Sequence, residues 1–94
     1  MEELNRILHQ PIRTQIMAYL VTRESCDYNT VKKLFDLSDG HMTTHMRELL
    51  GNEYVRAEKL TVENKSRTIY HITPTGQEAF IEYVSLLKKI ISLT

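Results

Sequence analysis

The sequence predicts a mainly α fold of the α+β class, with three helices, a two-stranded β-hairpin and a fourth helix in that order. Three observations carry this. Residues 11–52 hold three segments whose apolar side chains recur at helical spacing. Residues 54–73 then switch to β-branched and aromatic residues around a polar tip. Thr73-Pro74 reopens a helical pattern that runs to residue 93.

A short helical lead-in is expected over 2–8, from Leu4, Ile7 and Leu8. His9-Gln10-Pro11 interrupts it, and Pro11 suits the first position of a new helix because it lacks an amide proton. That helix builds one apolar face from Ile12, Ile16, Met17, Tyr19 and Leu20, and residues 24–27 read as a turn. The second helix, over 29–36, places Val31, Leu34 and Phe35 inward and Lys32 and Lys33 outward.

Ser38 is a good cap for the third helix, since its hydroxyl can accept an otherwise unpaired first-turn amide. Met42, Met46, Leu49 and Leu50 form the stripe of that helix at i, i+4, i+7 and i+8. Gly51-Asn52 is expected to end it in the left-handed region. In the hairpin, Val55, Ala57, Tyr70 and Ile72 fall on inward positions, residues 62–66 form the tip, and Asn64 is the candidate for a positive φ.

Ninety-four residues suffice for one modest core, and a chain this small buries about 60% of its unfolded surface. Twelve basic and twelve acidic side chains cancel, and the pI is near 6.9, so global basicity gives no argument for nucleic acid. Cys26 is the only cysteine, which excludes an internal disulfide and a thiolate-pair zinc site. It reads as an inert thiol in a reducing compartment. The opening residues lack the pattern of a secretion signal, and the longest apolar run, 16–21, is far short of a membrane span. A cytoplasmic location is expected, with no membrane partner. No nucleophile motif, phosphate loop or carboxylate pair is present, so no catalytic residue, cofactor or enzymatic activity is expected.

Two helices joined by a tight polar turn, followed by a hairpin and a helix, form the winged helix-turn-helix plan. Residues 4–13 (LNRILHQPIR), 37–46 (LSDGHMTTHM) and 67–76 (RTIYHITPTG) resemble the opening, the turn with its recognition helix, and the returning wing strand of small winged-helix regulators related to the MarR and ArsR repressors. The three blocks keep their order along nearly the whole chain. The resemblance implies a single winged-helix DNA-binding domain over 1–94, with the recognition helix at 39–52, the wing at 54–73 and a C-terminal dimerisation helix at 74–93. It implies a homodimeric regulator of transcription, expected to repress, with one recognition helix per subunit in successive major grooves of double-stranded DNA. Two departures stand out. The wing tip has no glycine, and the paired cysteines of metal-sensing ArsR proteins are absent, so no metal site is carried over.

The expected DNA-binding residues are Ser38, Gly40, His41, Thr43, Thr44 and Arg47 on the third helix, with Lys65 and Arg67 on the wing. Thr can serve a thymine methyl or a polar base edge, and Arg can chelate guanine. Residues 55–71 carry four basic and two acidic side chains, whereas 38–51 carry one and two, so few phosphate contacts are expected. His41 and His45 share the i, i+4 spacing of a metal clamp, but no third ligand is placed beside them. The expected dimer interface is Phe80, Tyr83, Val84, Leu87, Ile90 and Ile91, whose apolar girth exceeds what a small core can cover. A small-molecule effector would fit at that seam, although no residue identifies one. The alternative function is a winged-helix module that docks a protein through its uncharged recognition face.

Overall fold

The computed structural model describes residues 3–93; Met1, Glu2 and Thr94, at the ends of the expected 1–94 domain, lie outside it. The order is α1 (Pro11–Arg23), β1 (Ser25–Asp27), α2 (Tyr28–Leu34), α3 (Asp39–Gly51), β2 (Val55–Val62), β3 (Lys65–Ile72) and α4 (Pro74–Ser92). The strands form one antiparallel sheet in the order β1-β3-β2. Among the described residues no helix is long and apolar enough to cross a membrane.

The expected lead-in helix is a single turn. Asn5 Oδ1 accepts from the amides of Ile7 and Leu8 at 2.9 and 3.1 Å, and the His9 amide donates to the Asn5 carbonyl. Gln10 must then be extended (φ −144°) because Pro11 follows, which stops the turn from continuing. Gln10 instead caps α1 through the Arg13 amide at 2.8 Å. Residues 25–27, expected as a turn, are the short strand β1, in which Cys26 pairs with Tyr70. Glu24 at φ 70° makes the sharp exit from α1 that aims the chain at β3.

Asp27 caps α2 by accepting from the Thr30 amide at 2.8 Å. Val31 enters the core, but Leu34, expected inward, is 51% exposed at the last position of α2. Ser38 caps α3 as expected, its Oγ accepting from the His41 amide at 3.1 Å. Met42, Met46 and Leu49 are buried, while Leu50, also assigned to the stripe, stays partly in solvent. The residue in the left-handed region is Glu53 (φ 60°), not Gly51 or Asn52. The Glu53 and Tyr54 amides return to the carbonyls of Leu50 and Leu49, closing a Schellman-type end.

β2 and β3 pair from Val55↔Ile72 to Val62↔Lys65. Glu63 and Asn64 both have positive φ (51° and 63°), the two-residue turn whose twist matches the strands. Only the base of the hairpin meets the core: Val55 and Tyr70 are buried, whereas Ala57, expected inward and paired with Tyr70, is exposed, as is every residue of β2 after Val55. Thr73 Oγ1 accepts from the Gly76 amide at 2.9 Å and opens α4. A Cβ at Gly76 would lie 2.1 Å from the Tyr54 carbonyl oxygen, so glycine there is what lets α4 seat against the start of β2.

Candidate nucleic-acid interface

The inner side of α3 is closed by Met42, Met46 and Leu49 packed beneath α1 and the sheet. Gly40, His41, Thr43, Thr44 and Arg47 are exposed on the remaining faces. Thr43 and Thr44 donate their hydroxyls to the carbonyls of Asp39 and Gly40 at 2.9 and 3.0 Å. Their methyls and hydroxyl lone pairs are therefore what an incoming ligand meets. Ser38 Oγ is engaged with the His41 amide, so it acts on the helix start itself. Arg47 edges a groove that Tyr28, Met42, Thr43, Met46 and Tyr70 also line, where α3 faces the sheet.

Sequence reasoning missed the cluster at the α2–α3 corner. Asp39 Oδ1 accepts from Tyr28 Oη at 2.6 Å and from Lys32 Nζ at 2.8 Å. The Lys32 bond foremost, then that of Tyr28, holds the Asp39 carboxyl below the usual carboxylate range. Donation to the same carboxylate pushes the Tyr28 hydroxyl up to about 12. Tyr28 and Lys32 at i, i+4 was the available signal, but nothing in one sequence says that Asp39 returns to them.

His45 is half-buried, and its Nδ1 stands 3.2 Å from Arg13 Nη1. A guanidinium only donates, so this nitrogen is the acceptor of a neutral ring. Burial first, then the charges of Arg13 and His41, push the His45 pKa down. His45 of the i, i+4 pair therefore faces an arginine, and among the described residues no three His, Cys, Asp or Glu groups converge to hold a metal ion. Burial first, then the charge of Asp27, pushes the Cys26 thiol up, away from the reactive thiolate.

On the wing, Lys65 is exposed at the turn, while Arg67 Nη2 lies 3.2 Å from Asp27 Oδ2. Direct pairing puts Val62 opposite Lys65 and Leu60 opposite Arg67, so apolar and cationic side chains share the outer face of the hairpin. Further down that face His71 Nε2 meets Glu58 Oε1 at 2.9 Å. The expected dimer residues divide. Tyr83 belongs to the core of its own chain, with its hydroxyl 2.9 Å from His9 Nδ1. Phe80, Val84 and Leu87 lean half-buried on that core, Ile90 is half-buried, and Ile91 is exposed.

The profile of the winged helix DNA-binding domain family matches residues 12–91. An uncharacterised protein of Methanocaldococcus jannaschii is 30% identical over 79 residues, covering 84% of this chain and 86% of its own. A transcriptional regulator homologue from Pyrococcus horikoshii OT3 superposes with a TM-score of 0.86 at 32% identity, covering 94% of this chain and 87% of that one. A protein from Porphyromonas gingivalis W83, described as a MarR-family transcriptional regulator, reaches a TM-score of 0.59 at 13% identity over 94% of each chain, a likeness of fold alone.

Proposed function

This chain belongs to the winged helix DNA-binding domain family, and from that premise we propose that it is a sequence-specific transcriptional regulator acting on double-stranded DNA as a homodimer. The observation that supports this most is α3, which buries Met42, Met46 and Leu49, leaves only Leu50 of its stripe partly in solvent near its C-terminal end, and carries small polar groups and Arg47 on its opposite faces. A helix of that profile can lie in a major groove without exposing an apolar ridge to it. Thr43, Thr44, His41 and Arg47 then read base edges, and Arg47 is the side chain able to chelate a guanine. Ser38 holds the first turn in shape, and Gly40 lets the backbone there approach a phosphate. Lys65 reaches the DNA backbone from the wing tip, and Arg67 follows it from beside Asp27.

Two recognition helices must sit one duplex turn apart, about 34–36 Å, which calls for a two-fold protein. The apolar side of α4 that its own core covers only in part (Phe80, Val84, Leu87 and Ile90), continued by the exposed Ile91, is the proposed seam, supported from within by Tyr83. A small-molecule effector would reach it through the groove that Asn5, Ile81, Leu86 and Lys89 line. We read the mode as repression, since a dimer covering two successive grooves of a promoter blocks its use by exclusion.

The test is selection of bound duplexes from a random pool by the purified protein, with a salt titration on the selected and on random DNA. An enriched motif with two-fold symmetry, and an affinity that falls as salt rises, are the expected results. Absence of enrichment together with salt-independent association would overturn the reading in favour of a protein-docking module.

A further inference from the structure

The corner between α2 and α3 carries an arrangement that base reading does not explain. Asp39 places a carboxylate on the first turn of α3, beside Gly40 and Thr43, with its side chain 75% exposed. A bare negative charge there faces the phosphates of any duplex that α3 enters. It is not bare, however, because a lysine ammonium and a tyrosine hydroxyl both donate to its Oδ1. An ammonium and a phenol on one anionic oxygen is the set of donors that a backbone phosphate would take at this corner. The wing repeats the theme: Arg67 is held by Asp27 Oδ2, while Asp27 Oδ1 caps α2. Residues 28–51 as a whole carry three basic and three acidic side chains, so the helix-turn-helix has no net charge with which to hold DNA.

We propose that Asp39 is an internal phosphate surrogate, which masks Lys32 and so limits the sequence-independent affinity of the DNA interface. This rests on the DNA-binding reading above. Non-specific affinity comes almost entirely from cations that neutralise phosphates and release counterions. A lysine already neutralised by a carboxylate 2.8 Å away releases none unless the pair is broken. Asp39 therefore subtracts one phosphate contact from each subunit, leaving a larger share of the affinity to the base-reading face of α3.

The experiment measures binding to a random duplex against salt for wild type, Asp39→Asn, Lys32→Ala and the double variant, with circular dichroism confirming the fold of each. Asn keeps the size and the acceptor but removes the charge. Asp39→Asn is expected to bind about two- to fivefold tighter, the range of one exposed ion pair. Its log K against log salt should steepen by about 0.9 per subunit. The double variant should lose both gains, and Lys32→Ala alone should scarcely differ from wild type. Asp39→Ser, which also suits a helix start, should reproduce the gain if charge is its cause. Unchanged or weaker binding by Asp39→Asn, or a gain that survives in the double variant, would overturn the masking role. Salt-independent binding by the wild type would instead overturn the DNA reading, and this proposal with it.

Discussion

α3 and α4 start alike and end in opposite situations. Each is opened by a hydroxyl cap, Ser38 or Thr73, and each carries an apolar stripe at helical spacing. The thirteen residues of α3 bury Met42, Met46 and Leu49 between α1 and the sheet. The nineteen residues of α4 bury only Gly76 and Tyr83 and leave Ile81 and Ile91 62% exposed, and Leu93, its C-cap, is 81% exposed. The cause is geometric. α3 holds all of its stripe but Leu50 against other elements, whereas α4 is seated at Gly76, which admits the Tyr54 carbonyl, and at Tyr83, and carries Ile81 and Ile91 into solvent. A helix whose apolar surface is mostly covered turns a polar face outward for a ligand. One whose apolar surface outruns its own core needs a second covering, which in a two-fold regulator is another copy of itself.

The largest expected effect tests that second half. Leu87→Asp should convert the proposed dimer to a monomer, or nearly so. Burial of one leucine contributes about 1.5–3 kcal/mol, and two-fold symmetry counts it twice. An unpaired carboxylate at a closed seam adds a further penalty. Light scattering gives the mass and far-UV circular dichroism the fold. Operator affinity should fall with dimerisation, because each monomer reads only one half-site. Leu87 also leans on its own core, so some loss of melting temperature is expected alongside. A variant that stays dimeric and binds normally would place the seam elsewhere and remove the contrast between the two helices.

What was legible in the sequence follows the same division. The stripe of α3 (all but Leu50) and its cap, the tip of the hairpin at Asn64 and the start of α4 at Thr73-Pro74 are written in local chemistry, and the structure keeps them. Features that depend on a distant partner were not legible. Three residues of β1 show no period, and only β3, more than forty positions later, makes them a strand. Ala57 alternates correctly for an inward position, yet on β2 only Val55 is buried and Ala57 stays exposed beside Tyr70. Tyr83 reads as one more apolar residue of a seam until its hydroxyl is seen beside His9. At the candidate interface the exposed face of α3 could be drawn from spacing. The ties of Lys32 to Asp39 and of Arg67 to Asp27 could not, since both join elements whose relative placement no spacing encodes.

A middle-sized effect sharpens the first half of the comparison. Arg47→Ala should cost about 1–3 kcal/mol on the selected operator, and much less on random duplex, if its guanidinium reads a base. Competition binding on operators altered one base pair at a time would show the preference relaxed at a single position. An equal loss on every sequence would make Arg47 a phosphate clamp, leaving discrimination to Thr43, Thr44 and His41. Arg47 is exposed and makes no ion pair among the described residues, so the monomer should keep its stability.

The smallest expected effect lies on the flank of α3, where its enclosed side gives way to its open one. His45 accepts from Arg13 across the α1–α3 contact, and burial with the nearby charges of Arg13 and His41 lowers its pKa in the folded chain. The unfolded histidine, at about 6.5, then holds a proton more readily than the folded one. Stability from this contact is therefore complete above about pH 6.5 and declines as the pH falls through that value, because unfolding takes up a fraction of a proton there. Urea midpoints measured from pH 7.5 to 5.5 should fall more steeply for wild type than for His45→Asn. In the variant, Asn Oδ1 can still accept from Arg13 but has no proton to gain. The difference between the two curves reports the loss of the His45 imidazole. Parallel curves would mean that the α1–α3 contact stays open to water, and that α3 is less completely enclosed than the burial of Met42, Met46 and Leu49 implies.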